Sequence, residues 1–516
     1  MNGAESLVHT LLACGVDTCF SNPGTSEMHF VAALDRIPGM RCVLGLQENV
    51  VTGAADGYAR MQDRPAATLL HCGPGLANGL ANLHNARRAR SPVVNLVGDQ
   101  ATYHRPLDAP LTADTEGWAR PVSAWTRTAS HAATVGADCA SAVQAARATP
   151  GIATLIMPSD TCWDDGGAVG APLPVPAMPQ ASPDAVAGAV RALRSGQPTV
   201  MILGGMALRA GALGVAGAIV AAANAAGTAA RMMAQTSNGR IERGGGRVPI
   251  DRVPYPVDQA VAALAGTVHL VLVGAPPPVG FFAYPGKPGL MAPAGCQVHV
   301  LTRPEQDGAD ALARVAAALG AEKAVPTSEA PRPQAARGAV TSEALAQSLW
   351  ALLPEHAVVV DESVSFGRAL YPGTHGAAPH DWLQITGGAI GCGIPLATGA
   401  AVGAPGRRVV GLQADGSAMY TLQGLWTQAR ERLDVTTVIL ANRKYQILLG
   451  EYQGVGANPG RTAMDMMDLG NPDLDWVRLA NGMGVEAART DTMDGFADLF
   501  AQANARPGPF VIELLI

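Results

Sequence analysis

The chain has few aromatic side chains, few charged ones and no long uninterrupted apolar run, although it is 516 residues long. Only 15% of its residues are charged, and 36 basic against 42 acidic residues give a formal net charge of −6. A nucleic-acid-binding surface normally needs a basic surplus, so this balance argues against a nucleic-acid partner. The longest apolar candidate, 210–230, is an Ala/Gly-rich segment, which favours a buried helix over a membrane span.

Cysteine pairs with metal or redox spacing are also missing. The eight cysteines form no C-x-x-C pair and no Cys/His cluster with zinc spacing, which is typical of reduced thiols in the cytoplasm. Residues 1–16 carry Glu5 and lack a basic stretch followed by an apolar run, so they predict a first helix rather than a signal peptide. With 48% hydrophobic residues, the chain can bury large cores, which rules out global disorder.

Prolines divide the chain twice. Five prolines fall in 171–183, and a second Pro-rich break spans 326–338; we expect extended linkers at both. The breaks define three domains, 1–175, 184–325 and 339–516, and the length suits two to four domains. Within each domain, short apolar runs alternate with helical patterns. The sequence therefore predicts an α/β protein of three doubly wound domains, each built on a parallel sheet that is covered on both faces.

A short internal repeat links the two outer domains. The tetrapeptide Thr-Gly-Ala-Ala at 52–55 recurs at 398–401, and each copy is followed by a strand, a Gly-containing turn, a helix and another strand. Four small residues can match by chance, but the shared order of elements indicates more. It predicts that the first and third domains are two versions of one α/β unit.

Polar side chains follow two neighbouring strands in the third domain. Asp415, Gly416 and Ser417 come after the predicted strand 409–412, and Asn442 ends the next one. Because the carboxyl ends of parallel strands share one edge of a sheet, the Asp415 carboxylate and the Asn442 amide oxygen are expected side by side. Such oxygen ligands suit Mg²⁺, and a following helix, predicted to begin at 421 and end at 431, would offer N–H groups to phosphate. The alternative is a helix cap and a turn.

These residues resemble the signature of thiamine diphosphate (ThDP) enzymes of the 2-oxo acid decarboxylase and acetolactate synthase superfamily, a Gly-Asp-Gly triplet followed by Asn. Here 27 positions separate Asp415 from Asn442, and Ala414 and Ala441 replace the signature's first glycine and first asparagine. The resemblance implies that Mg²⁺ is held by Asp415, Asn442 and the backbone carbonyl of Lys444. It also implies that the diphosphate is contacted by Ser365 and Ser417, with further cofactor contacts from Gly416 and Tyr445.

The Gly-rich segment 386–395 resembles the family's segment beneath the bend of the cofactor. By that resemblance the Gly388 carbonyl accepts a hydrogen bond from the 4′-amino group, and the Ile390 N–H serves the pyrimidine. The Ile390 side chain would wedge the two rings into a V. From the residues alone, the segment is a Gly-rich strand-to-helix turn with a core isoleucine.

The first domain adds a glutamate and two polar residues to the resemblance. Segment 46–60 resembles the family's activating-glutamate helix, in which Glu48 hydrogen-bonds N1′ and promotes the imino tautomer; the alternative is a solvated glutamate at a helix start. Benzoylformate decarboxylase-like enzymes also place a hydroxyl residue, here Thr25, facing the substrate carboxylate. They use a histidine, here His71, for proton transfer. As alternatives, Thr25 or Ser26 caps the following helix, and His71 is structural.

Three further positions are predicted to line the substrate pocket. Phe281 is the nearest match to the second active-site histidine of benzoylformate decarboxylase-like enzymes, which suggests a more apolar wall. Ile447 and Leu448 would line the space for the donor side chain. Residues 449–451 lack the Gln-Trp pair that follows this motif in acetolactate synthases, so together with His71 they favour a decarboxylase.

The resemblance implies ThDP- and Mg²⁺-dependent, non-oxidative decarboxylation of a small 2-oxo acid, with carboligation as a second step. Acetolactate synthase-type carboligation is the alternative, and FAD in the central domain is a less favoured extra cofactor. The family's active sites lie between the subunits of a homodimer or homotetramer. A non-catalytic homologue is a remote alternative. Another is a nicotinamide-dependent dehydrogenase, suggested by Gly-x-Gly-x-x-x-Gly at 73–79 with Asp99, which leaves Glu48, Asp415 and Asn442 unexplained.

Overall fold

The computed structural model describes residues 1–321 and 331–516; the part of the second predicted break from 326 to 330 lies outside the described residues. The described chain forms three sheets, of six, four and seven strands, with helices packed on them. The strands are β1 Thr18–Asn22, β2 Arg41–Leu44, β3 Ala66–Leu70, β4 Val93–Asp99, β5 Trp125–Thr128, β6 Ile152–Pro158, β7 Thr199–Leu203, β8 Ala230–Ala234, β9 Ile241–Arg243, β10 His269–Val273, β11 Gln297–Thr302, β12 Val358–Glu362, β13 His380–Gln384, β14 Val409–Ala414, β15 Val435–Ala441, β16 Glu486–Thr490 and β17 Phe510–Leu515.

Helices fill the connections between the strands. They are α1 Gly3–Ala13, α2 Met28–Arg36, α3 Glu48–Gln62, α4 Cys72–Ala89, α5 Thr115–Ala119, α6 Ala132–Ala148, α7 Ser159–Trp163, α8 Pro183–Leu193, α9 Ala210–Ala225, α10 Val257–Leu264, α11 Gly308–Leu319, α12 Ser342–Leu352, α13 Leu370–Gly373, α14 Gly393–Gly403, α15 Asp415–Ala418, α16 Gly424–Arg430, α17 Gln446–Val455, α18 Arg461–Asp465, α19 Trp476–Gly482 and α20 Met493–Asn504. The predicted first helix is α1. Of the Ala/Gly-rich segment 210–230, residues 210–225 form α9, and Ala230 begins β8. Among the helices that the structure describes, none combines the length and hydropathy that a bilayer crossing demands.

The first and third sheets share one strand order, which confirms the predicted duplication. The first sheet runs β2-β1-β3-β4-β6-β5, and the third runs β16-β17-β15-β14-β12-β13-β9. When β9 is left out and the six strands of each sheet are numbered by their order in the chain, both sheets have the order 2-1-3-4-6-5, with the third sheet read from β13 to β16. Among the named strands of the described chain, all pairings are parallel apart from one antiparallel pair, in which β9 of the central segment joins β13 at the edge of the third sheet. The prediction of three doubly wound α/β sheets is therefore confirmed, with this one crossing strand added.

The repeated tetrapeptides meet in space. They lie in α3 and α14, which pack against each other across the two outer sheets. A Cβ added to Gly399 would lie 1.7 Å from the Ala54 carbonyl oxygen, and one added to Gly57 would lie 2.1 Å from that of Leu396. No side chain fits at such distances, so glycine permits the close approach of the two backbones. The repeat thus holds the first and third domains together.

Strands β14 and β15 place the predicted metal ligands at one edge of the third sheet. The two strands pair in parallel, with Ala414 opposite Leu440, so their carboxyl ends lie next to each other. Strand β15 is buried along its whole length, as expected for a parallel strand covered on both faces. The helix predicted over 421–431 is shorter than expected and forms α16 alone. Thr421 instead donates its hydroxyl to the Gly391 carbonyl at 2.8 Å, which fixes a turn before α16.

Candidate active site

A cleft opens where β12, β14 and β15 end. It contains about 440 Å³ of space that is not filled by protein atoms, part of which is open to solvent. Its lining contains nine of the predicted site residues: Ser365, Ile390, Asp415, Gly416, Ser417, Asn442, Lys444, Tyr445 and Ile447. All of the cleft's lining residues come from the third domain.

Backbone N–H groups fix the positions of the side-chain oxygens of Asp415 and Asn442. The Gly416 and Arg443 N–H groups donate to the two Asp415 carboxylate oxygens at 2.8 and 2.6 Å. The Lys444 N–H donates to the Asn442 amide oxygen at 3.0 Å. Burial raises the pKa of Asp415, so a cation beside it would favour the ionised form. One carboxylate and one amide oxygen, at the mouth of a cleft that can take a phosphate group, fit a Mg²⁺ ion.

The short helix α15, which carries Gly416 and Ser417, has no room for a side chain at position 416. A Cβ added to Gly416 would lie 2.6 Å from the Tyr445 ring, so the ring packs directly over this helix. Ser417 is buried and donates its hydroxyl to the Ala414 carbonyl at 3.1 Å. Ser365 also lines the cleft and lies in the loop that follows β12. Hydroxyl groups of this kind are donors that suit a phosphate group.

The segment that carries Gly388 and Ile390 is anchored by α4. Asn85 donates to the Ala389 carbonyl at 2.7 Å and accepts from the Gly387 N–H at 3.1 Å. Gly388 has a φ of +80°, and a Cβ there would lie 2.4 Å from the Phe281 ring. Phe281 therefore lies against this segment, but neither Phe281 nor Gly388 is among the residues that line the cleft. Leu448, on α17, is 41% exposed and does not line the cleft itself.

Glu48 is the first residue of α3, as predicted for a glutamate at a helix start. Its side chain is half-buried, and one oxygen accepts from Asn78 Nδ2 at 3.0 Å. A Cβ added to Gly75 would lie 3.3 Å from the other oxygen. Glu48 is not among the residues that line the third-domain cleft.

His71 pairs with a glutamate that the sequence did not reveal. Its Nδ1 lies 2.8 Å from Glu27 Oε2, which also accepts from the Gly24 N–H at 2.8 Å. Glu27 is buried, its other oxygen is unpartnered, and desolvation raises its pKa. With Nδ1–H donated to Glu27, the His71 Nε2 is free to face a substrate. The spacing of Glu27 three positions after Gly24 is the sequence signal for this contact, since a carboxylate at that position of a turn often accepts a hydrogen bond from the N–H group at the start of the turn.

The predicted helix cap at Thr25 or Ser26 is wrong. Residues Thr25–Glu27 form a short 3-10 turn, and α2 begins after it at Met28 with no side-chain cap. The backbone of Gly24 is instead bonded by Glu27, which takes over the capping role. Thr25 is exposed and stays available to a ligand. Thr25, His71 and Glu48 are thus predicted site residues that belong to the first domain and do not line the cleft.

Three comparisons identify relatives of the chain. Residues 1–118 and 371–514 match the N-terminal and C-terminal TPP binding domains of thiamine pyrophosphate enzymes. A Mycobacterium tuberculosis protein named "Putative acetolactate synthase large subunit IlvX" is 53% identical over 100% of this chain and 99% of its own. Benzoylformate decarboxylase of Pseudomonas aeruginosa is 29% identical over 97% and 96%. The solved ThDP-dependent 4-hydroxybenzoylformate decarboxylase of Rhodococcus jostii RHA1 has a TM-score of 0.81 at 25% identity, covering 99% of this chain and 98% of its own.

Proposed function

The chain belongs to the thiamine diphosphate-dependent enzymes of the decarboxylase and acetolactate synthase family, and from this premise we propose that it is a Mg²⁺-dependent 2-oxo acid decarboxylase. The observation that carries the proposal is the His71–Glu27 pair, at 2.8 Å, because it supplies a histidine able to protonate a decarboxylated product. Phe281 against Gly388 supports a 2-oxo acid with an apolar or aromatic side chain. The eight free cysteines fit the proposed cytoplasmic location.

The third-domain cleft would hold the cofactor. Asp415, Asn442 and the Lys444 carbonyl are the proposed Mg²⁺ ligands, and Ser365, Gly416 and Ser417 would bind the diphosphate beside Tyr445. The Gly388 carbonyl and Ile390 would orient the pyrimidine. When bound, ThDP supplies the nucleophilic carbon and the electron sink for decarboxylation. The protein's own part is to position these groups and to move protons.

Glu48 and His71 are the proposed proton-transfer residues. Glu48 would hold a proton at the cofactor's ring nitrogen, from the first turn of α3. In its protonated imidazolium form, with Nδ1–H donated to Glu27, His71 would deliver the Nε2 proton to the product carbon and would then regain a proton from water. Thr25 would hydrogen-bond the substrate carboxylate, while Phe281, Ile447 and Leu448 would surround its side chain. Each such proton transfer is worth on the order of 10²–10⁴-fold in rate.

The active unit is proposed to be a homodimer, or a tetramer made of two dimers. The cleft is lined by third-domain residues alone, whereas Glu48, Thr25 and His71 belong to the first domain. A partner subunit that faces the cleft with its first domain would complete the site. The ThDP would then lie between two chains, each of which supplies half of the machinery.

Acetolactate synthase-type carboligation is the second candidate, because the 53% identical relative carries that name. The two reactions differ in the step after CO₂ release: a proton gives an aldehyde, and a second 2-oxo acid gives an acetohydroxy acid. His71 favours protonation, and therefore the aldehyde, because a positioned acid competes with the acceptor carbonyl. Because both reactions release CO₂, only their organic products distinguish them.

The test is product analysis with ThDP, Mg²⁺ and two substrates, benzoylformate and pyruvate. We expect ¹³CO₂ release and benzaldehyde from benzoylformate, and we expect His71→Phe to lower aldehyde formation by on the order of 10²-fold. NMR of the mixture measures both products. The matched control is His131→Phe, which alters an exposed histidine at the start of α6. Acetolactate as the main product from pyruvate, with no aldehyde from either substrate, would contradict the decarboxylase proposal and favour the carboligase.

A further inference from the structure

Glu362 is a buried carboxylate whose hydrogen bonds link two segments of the cleft wall. It ends β12 and is 1% exposed. One oxygen accepts from the Gly391 N–H at 2.7 Å, and the other accepts from the Gly393 N–H at 2.6 Å and from Gln413 Nε2 at 3.0 Å. A buried carboxylate is tolerated only where such donors replace water. Its hydrogen bonds therefore constrain every segment that supplies a donor.

The first of these segments directs Ile390 into the cleft. Gly391, with a φ of +88°, turns the chain sharply between Ile390 and the start of α14. The N–H groups at the start of a helix have no partners within the helix, and Glu362 accepts from two of the N–H groups at this turn. The direction of the Ile390 side chain thus depends on the carboxylate behind it.

The second segment is the short helix α15, which carries Ser417. Gln413 Nε2 lies 3.0 Å from Glu362 and 2.6 Å from the Ser417 hydroxyl. A Cβ added to Gly393 would lie 2.0 Å from Gln413 Oε1 and 2.9 Å from Glu362 Oε2. Only glycine at 393 leaves room for this network. Through Gln413, the carboxylate also holds the serine proposed to bind the diphosphate.

The chain that leaves Glu362 forms a third wall of the cleft. Residues 363–366 follow it directly and line the same space, with Ser365 among them. Glu362 therefore lies at the junction of the three segments that carry Ser365, Ile390 and Ser417. Its own carboxylate is buried behind the cleft and lines none of it, so it acts on a ligand only through these neighbours.

We propose that Glu362 is a positioning residue that couples the Ile390 turn to α15, the short helix of Ser417, and so sets the affinity and orientation of bound ThDP. The proposal rests on the function proposed above. Glu362→Gln keeps the shape but replaces one acceptor with an NH₂ group, which faces an N–H donor whichever way the amide turns. Removing such an outer contact typically weakens a bound group by ~10–100-fold. We expect that loss for ThDP, together with a lower kcat at saturating ThDP.

The experiment measures ThDP affinity by calorimetry on the cofactor-free protein at saturating Mg²⁺, with thermal unfolding in parallel. The variants are Glu362→Gln, Gln413→Leu and the double variant. The control is Asp381→Asn, which removes another buried carboxylate of the third sheet, one paired with Arg240 and Arg407. We expect Asp381→Asn to lower Tm without changing the ThDP Kd. Glu362→Gln should raise that Kd, and the double variant should fall short of the product of the two single effects.

A wild-type ThDP Kd in Glu362→Gln, alongside a Tm loss like that of the control, would overturn the proposal. If Glu362→Gln does not fold, Gln413→Leu decides: a raised Kd in a folded protein supports the coupling, and an unchanged Kd overturns it. Failure of the wild-type protein to bind ThDP would overturn the proposed function and this proposal together. Tight binding by both the wild type and Glu362→Gln would overturn the positioning role alone.

Discussion

Replacing Glu48 with glutamine is expected to lower kcat by on the order of 10²–10⁴-fold, the usual contribution of a proton-transfer group. The amide keeps the size and the hydrogen bond to Asn78 but cannot share a proton with the cofactor's ring nitrogen. Because Glu48 is half-buried and has this one side-chain partner, Tm should change little. ThDP binding, measured by calorimetry, should persist, since the diphosphate and metal groups are untouched.

Glu343→Gln provides the matched control for Glu48→Gln. Glu343 is an exposed carboxylate in the first turn of α12, so the substitution removes the same charge from the first turn of another helix. Both variants lose a favourable interaction with the helix dipole, of about 0.3–1 kcal/mol. Only Glu48→Gln should lose turnover. If Glu48→Gln turned over at the wild-type rate, Glu48 would not be the activating acid.

Replacing Asp415 with asparagine is expected to weaken Mg²⁺ and ThDP binding by on the order of 10²-fold or more, and to remove activity at ordinary Mg²⁺ concentrations. The substitution removes the only carboxylate among the proposed ligands and leaves the diphosphate charge without a counterion. It also places an amide NH₂ near the Gly416 or Arg443 N–H groups that now donate to the carboxylate. Titrating Mg²⁺ at fixed ThDP measures the loss.

Asp465→Asn separates a metal effect from a general loss of charge. Asp465 ends α18, is exposed and lies 3.7 Å from exposed Arg461. This variant should bind Mg²⁺ and ThDP as the wild type does. Unchanged Mg²⁺ dependence in Asp415→Asn would contradict the proposed metal site, whatever its activity.

The sequence predicted those parts of the site that depend on local pattern. The predicted strand 409–412 matches β14 to within two residues, and Asn442 lies at the end of the next strand, β15, as predicted. Once those strands are parallel neighbours, Asp415 and Asn442 must meet at their ends, because the register carries them there. The repeat at 52–55 and 398–401 likewise predicted the shared strand order.

Contacts between distant segments escaped prediction. Strand β9 joins the third sheet through a three-residue antiparallel pairing, too short to leave a pattern. Thr421 shortens the predicted helix because its hydroxyl bonds Gly391, in another loop. Glu27 and Glu362 are buried only because His71, Gly391 and Gln413 surround them, and a single glutamate in a sequence carries no sign of such partners. Roles for Glu48, His71 and Thr25 remain predictions, as do the domain bounds.

The most direct test of a site shared between subunits combines the two inactive variants, Glu48→Gln and Asp415→Asn, in one oligomer. Glu48→Gln and Asp415→Asn chains, co-expressed with different affinity tags, can be purified in succession so that only hybrids remain. If each site takes Glu48 from one subunit and Asp415 from the other, one site of each hybrid dimer is intact, and about half of the wild-type activity should return. Hybrids that are as inactive as their parents, although both chains are present, would contradict a site shared between subunits.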